Sequence, residues 1–171
     1  MGIFIALFRG INVGGRNILP MKELTLLLEE SSYSKVKTYI QSGNVVFESN
    51  KPPKNVDLLI ESQFGFKPEV MIISKKDFSR FVRDNPYSSL VGKEIHLFFC
   101  NDAPKPDIDR IEKLKSKSEK YSIKGKVFYL HAPDGIGRSK LAAGVEKCLG
   151  VAATARNLNT VNKLIEMTEI V

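Results

Sequence analysis

The sequence predicts an α+β protein. Its first half reads as a ferredoxin-like βαββαβ unit, and a second, similar βαββα half follows. The sheets are expected to be antiparallel or mixed, with helices packed on one face. Three observations lead there. Short apolar runs alternate with helix-periodic segments in nearly the same order twice. Glycine-bearing turns separate neighbouring β-rich runs. The 171 residues, 43% hydrophobic and 26% charged, are enough to bury a core in one large domain or two small ones.

Gly2 to Phe8 is a short apolar run followed by glycines, the pattern of a buried strand. Pro20 suits the first turn of a helix, and Met21, Leu24, Leu27 and Leu28 fall on one helical face. Val36 to Gln41 and Asn44 to Glu48 flank Ser42-Gly43 and predict a hairpin with a two-residue turn. Val56, Leu59, Ile60 and Phe64 mark a second amphipathic helix, and Pro68 to Ile73 a fourth strand.

A helix from Lys75 to Asp84 then leads to the second half. Ile95 to Cys100 reads as a strand, Ile108, Ile111 and Leu114 as a helix face, and Tyr121–Ile123 with Lys126–His131 as a second hairpin. Leu141, Val145, Cys148 and Leu149 mark another helix, and Val161, Leu164 and Ile165 the last. The expected division is residues 1–74 for the first half, 75–92 for a connecting helix and linker, and 93–171 for the second α/β half. The two similar half-sheets can also merge into one compact domain.

Cys100 and Cys148 sit in apolar segments and read as buried thiols rather than a disulfide framework. The apolar start is too short for a signal peptide and is interrupted by Arg9; no run approaches the ~20 residues of a membrane span. The expected location is the cytoplasm, with no membrane partner. The net charge of +7 favours anionic partners such as nucleic acid, nucleotides or phosphorylated metabolites. Six lysines between Lys113 and Lys126 contribute to it; they either solvate a helix and turn or track phosphates.

Four segments carry candidate ligand-binding residues. In the first, Arg9, Asn12, Gly14, Gly15, Arg16 and Asn17 combine glycines, cations and amides after a strand. The spacing is neither Gly-x-Gly-x-x-Gly nor a Walker A loop, so a tightly packed crossover is the competing reading. In the second, Gln41, Ser42 and Asn44 surround the hairpin turn. In the third, Gly137, Arg138, Ser139 and Lys140 place cations and a natural N-cap at the start of a helix. In the fourth, Arg156 is suited to a phosphate or carboxylate, and Asn157 either joins it or caps the last helix.

Familiar catalytic patterns are absent. His96 and His131 are the only histidines, and no metal-ligand spacing or nucleophile elbow is present. No metal or cofactor is implied. His131 precedes the Gly135-Ile136-Gly137 loop, where Asp134 is the residue available to orient it.

The segments Arg9-Gly10-Ile11-Asn12-Val13-Gly14-Gly15, Tyr39 to Phe47, Gly135 to Leu141 and Thr154-Ala155-Arg156-Asn157 together resemble the bacterial domain-of-unknown-function family sixteen-ninety-seven. The resemblance spans nearly the whole chain. It implies a mixed α/β architecture and supplies no catalytic residue. Members of that family read Thr-Ala-Arg-Asn-Trp-Asn-Thr in the last motif, where this chain has Leu158. A ring stacked by that tryptophan has no counterpart here.

Three functions stay open at this level: binding of a phosphate-containing ligand or nucleic acid at the glycine-rich loops, catalysis on a small phosphorylated or nucleotide substrate, and protein interaction without small-molecule chemistry. Asn12, Gln41, Asn44, His131 and Arg156 are the polar residues an enzyme would draw on. Oligomeric state is not legible.

Overall fold

The computed structural model describes residues 1–170. Its elements are β1 (Gly2–Arg9), α1 (Met21–Glu30), β2 (Ser34–Tyr39), β3 (Asn44–Ser49), α2 (Val56–Phe64), β4 (Glu69–Ser74), α3 (Lys75–Arg83), β5 (Ile95–Cys100), α4 (Ile108–Leu114), β6 (Lys120–Lys124), β7 (Val127–His131), α5 (Lys140–Ala143), α6 (Val145–Leu149), β8 (Ala153–Asn157) and α7 (Leu158–Ile170). The α+β class holds. Packing draws two compact units. One comprises Met1–Arg80 and the chain from Lys163 onward; the other comprises Phe81–Asn162.

The first unit holds a four-stranded sheet in the order β2-β3-β1-β4. Every pairing in it is antiparallel, with Phe4 opposite Phe47 on β3 and Ser74 on β4. Side chains alternate across the strands. Phe4, Ala6, Phe8, Val45 and Phe47 face α1 and α2, whose Leu24, Leu28, Val56 and Ile60 complete one core. Ile5, Leu7 and Val46 point the other way and are also fully buried. The end of α7 joins this unit: Lys37 Nζ donates to the Ile170 carbonyl at 3.2 Å, and Lys75 pairs with Glu169 at 3.0 Å.

The second unit repeats the order as β6-β7-β5-β8, again antiparallel. Phe98, Cys100, Phe128 and Leu130 pack with Ile111, Leu141, Val145 and Cys148 in its core. On the opposite face Phe99 meets Phe81 with ring centroids 6.0 Å apart, and Tyr129 Oη donates to the Phe81 carbonyl at 2.6 Å. Both cysteines are free and buried, and burial pushes the Cys100 thiol up to about 11. Among the described residues, no helix is long and apolar enough to cross a membrane.

Three local expectations need correction. Residues 153–157 form β8, so the second half is βαββαβ rather than βαββα. Two alanines and an asparagine among its five residues give this segment little strand signal of its own; pairing with β5 settles it. The helix expected across residues 141–149 is two short helices, because the chain breaks at Gly144 between α5 and α6. The first hairpin turn spans four residues, since Tyr39 pairs with Asn44 and Ile40 to Gly43 lie between them.

Gly43 shows why that turn is tight. Its carbonyl accepts Phe8 N–H at 2.9 Å, and its φ is +87°. A Cβ there would stand 2.6 Å from both Ile11 Cδ1 and Phe8 Cβ. Gly43→Ala is therefore expected to cost about 3 kcal/mol through overpacking and backbone strain. Denaturant unfolding checks this; an unchanged midpoint would overturn the packing account.

Candidate functional site

The first glycine segment closes on itself. Val13 and Arg16 form an isolated antiparallel bridge, with Arg16 N–H donating to the Val13 carbonyl at 3.0 Å. Gly14 and Gly15 lie between them at φ +59° and +70°. Two successive left-handed residues make the tightest hairpin turn, which glycine adopts without strain. The chain then runs through Asn17 and Leu19 before α1 begins at Met21, with Pro20 in the position just before it and no side-chain cap. The segment is thus a small hairpin followed by a loop, rather than glycines opening directly into a helix.

Amides of this unit are engaged by its own backbone. Asn12 Nδ2 donates to the carbonyls of Leu19 and Gln41, both at 2.9 Å, and its Oδ1 accepts Leu19 N–H at 2.7 Å. Asn12 itself sits at φ +54°. Its side chain joins the glycine segment to the β2–β3 turn, so the first two motifs are brought together. Asn17 Nδ2 donates to the Gly10 carbonyl at 3.1 Å. Asn44 is fully buried and donates to the Tyr39 carbonyl at 2.9 Å and Ser42 Oγ at 3.2 Å. Arg9 reaches across to Glu69 at 3.5 Å on the β4 edge. Gly14, Gly15, Arg16 and the Gln41 side chain are exposed.

The third motif forms a wall of a cleft within the second unit. Asp107 caps α4 by accepting Arg110 N–H at 3.1 Å, and α4 ends at Leu114. A turn from Ser116 to Glu119 follows, in which Glu119 Oε1 accepts Ser116 N–H at 2.8 Å. The other oxygen of this buried carboxylate accepts the Ser139 hydroxyl. Ser139 Oγ accepts Ala142 N–H at 3.0 Å and so caps α5. Facing that turn, β7 ends at His131 and residues 132–138 lead through a 3₁₀ turn (Ile136–Arg138) to Ser139.

The cleft between these loops measures about 520 Å³. Four cations line it: Lys113, Lys115, Arg138 and Lys140. Glu119 and Asp134 are its carboxylates, and Leu114 and Ala132 its apolar residues. Lys115 Nζ donates to the Ser116 and Glu119 carbonyls at 3.3 and 3.2 Å. The side chains of Lys113, Arg138 and Lys140 carry no hydrogen bond or ion pair among the described residues. Ser139 lines the cleft beside them, whereas Gly137 lies on the 3₁₀ turn outside the lining. Lys113 and Lys115 belong to the basic run visible in the sequence. Glu119 was missed, because nothing local distinguishes it from a solvated carboxylate.

The fourth motif sits on β8, apart from the cleft lining. Arg156 Nη1 donates to the Ala155 carbonyl at 2.8 Å, and burial lowers its pKa to about 10, which leaves it charged at neutral pH. Asn157 Oδ1 accepts Thr160 N–H at 2.9 Å, the cap expected for the last helix. Asp134 does not orient His131. It accepts the Ser118 hydroxyl at 2.5 Å, while His131 Nε2 faces Glu94 at 3.8 Å. His96 is buried between Leu130 and Asn157, and its Nδ1 lacks a partner. Among the described residues no group of three His, Cys, Asp or Glu is placed to hold a metal ion.

Comparison with known proteins supplies a family and a fold but no activity. The profile described as "Protein of unknown function (DUF1697)" matches residues 1–129. The conserved bacterial protein SP0830 from Streptococcus pneumoniae has a similar structure, with a TM-score of 0.71 and 25% identity. That alignment covers 97% of this chain and 98% of the other. No curated protein matches.

Two outcomes follow from these side chains. Asn12→Gly keeps the backbone conformation and removes three hydrogen bonds, so it is expected to cost about 2 kcal/mol in an unfolding titration. Unchanged stability would show that Asn12 does not hold the two motifs together. Desolvation lowers the His96 pKa below 6.5, so the folded state resists a proton that the unfolded chain accepts. Stability should therefore fall as pH drops below 6.5. In His96→Leu that component should vanish; melting curves with the same pH slope in both proteins would exclude His96 as its source.

Proposed function

The chain belongs to the DUF1697 family of proteins of unknown function, and on that premise we propose that it binds a phosphate-containing ligand in the cleft of its second unit. The observation that carries this reading is the set of three partnerless cations, Lys113, Arg138 and Lys140, around one concavity of about 520 Å³. The four cations of the lining outnumber its two carboxylates, and a concave wall focuses the remaining positive field on whatever enters. A phosphate offsets that excess. Arg138 can meet two of its oxygens at once, and the lysines act as point charges. The volume lies within the range of small-molecule sites.

The net charge of +7 supports an anionic ligand and would draw it in from solution. Of the four candidate segments, we assign the ligand to the third. Arg9, Asn12, Gly14, Gly15, Arg16, Asn17, Gln41, Ser42 and Asn44 take no part in this cleft, and several of their polar groups already serve the backbone. Nucleic acid is the alternative partner, for which exposed Arg16 would matter more than the cleft. Catalysis draws less support. Ser139 and Glu119 touch, but the hydroxyl also caps α5 and the carboxylate also holds Ser116 N–H, so neither stands free as nucleophile or base.

Titration calorimetry with inorganic phosphate and with a short oligonucleotide tests the assignment. Phosphate should bind, more weakly as salt rises, and Arg138→Ala combined with Lys140→Ala should weaken it at least tenfold. Two charge-assisted hydrogen bonds at about 1.5 kcal/mol or more each exceed that loss. Both side chains are exposed, so melting temperature should hold. Phosphate binding that ignores the double substitution would sink the cleft assignment. Oligonucleotide binding that is lost in Arg16→Ala alone would move the site to the first unit.

A further inference from the structure

The cleft has a second character that phosphate alone does not use. Asp134 lies on the same lining as Arg138 and Lys140. It is exposed, and one of its oxygens is held by the Ser118 hydroxyl at 2.5 Å, with Ser116 Oγ a further 3.1 Å from Ser118 Oγ. Its Oδ1 has no partner among the described residues. Glu119 differs, because both of its oxygens accept donors from this chain. The cleft lining therefore holds one carboxylate with an oxygen left for a ligand, in the same lining as three partnerless cations.

A bare phosphate would be repelled by Asp134. A ligand with hydroxyl groups set away from its phosphate would instead donate to it. The cleft, at about 520 Å³, also offers far more room than a phosphate fills. Its lining holds no aromatic ring; Leu114 and Ala132 are the apolar side chains there. Bases are ordinarily gripped by rings or guanidinium planes, and the one guanidinium of this lining, Arg138, is the group assigned to the phosphate. We infer that the ligand is a phosphorylated polyol of the sugar-phosphate class, its phosphate at Lys113, Arg138 and Lys140 and a hydroxyl donating to Asp134. This rests on the cleft assignment above and goes beyond it by naming the chemical class.

Asp134→Asn separates the roles by sign. The probes are inorganic phosphate, ribose 5-phosphate, ribose and adenosine 5′-monophosphate, each titrated into the full chain. In the unmodified protein ribose 5-phosphate should bind at least tenfold tighter than inorganic phosphate, and adenosine 5′-monophosphate no tighter than ribose 5-phosphate. Asp134→Asn should weaken ribose 5-phosphate severalfold yet strengthen inorganic phosphate, because a repelling charge is gone. Ser118→Ala, which releases the carboxylate without removing it, should also weaken ribose 5-phosphate. It serves as the second variant if Asp134→Asn unfolds.

Strengthening of both phosphate probes by Asp134→Asn would overturn the polyol assignment, as would tenfold tighter binding of the nucleotide. Equal affinity for ribose 5-phosphate and phosphate, both lost in the Arg138 and Lys140 double variant, would sink the polyol class and leave the cleft standing. Failure of every phosphorylated probe to bind would sink both.

Discussion

In each unit the strand that comes first in the chain is one of two inner strands, hydrogen-bonded along both edges and carrying buried side chains on both faces. In the first unit this is β1, held between β3 and β4; in the second it is β5, between β7 and β8. Every residue of β5 is buried, His96 among them. A strand so placed admits no shift of register, because a slip of one residue would send every side chain to the opposite face. The loops at the strand ends inherit that rigidity. Gly43 is pinned where Phe8 N–H meets its carbonyl, and the 132–139 loop leaves from β7, the direct neighbour of β5.

On this frame the second unit builds its cleft with one buried carboxylate. Glu119 accepts donors from the turn it belongs to and from Ser139 on the facing wall. A buried charge is costly unless its oxygens are satisfied, and here both are. The same contacts tie the turn that follows α4 to Ser139, which stands between Arg138 and Lys140. The first unit uses amides to a similar end, since Asn12 joins two loops with three hydrogen bonds. The difference lies in what remains available. In the first unit the amides are largely taken by backbone groups, whereas in the second three cations are left without partners.

Sequence alone determined what depends on near neighbours. Hydrophobic periodicity placed most of the strands and helices, because a helix face or a strand run is written within a few residues. Glycine spacing marked where the two hairpins turn, though not the four-residue length of the first, and Asn157 was legible as a cap. The basic run from Lys113 to Lys126 was visible as charge. Tertiary structure decided what depends on distant partners. β8 exists because β5 offers an edge to Ala153–Asn157, whose own residues favour strand weakly. The glycine segment after β1 closes on itself locally, but it is anchored to the β2–β3 turn because Asn12 donates to a carbonyl 29 residues away. The cleft was beyond reach of any local pattern: Glu119 and Ser139 are 20 residues apart, and only folding sets one against the other.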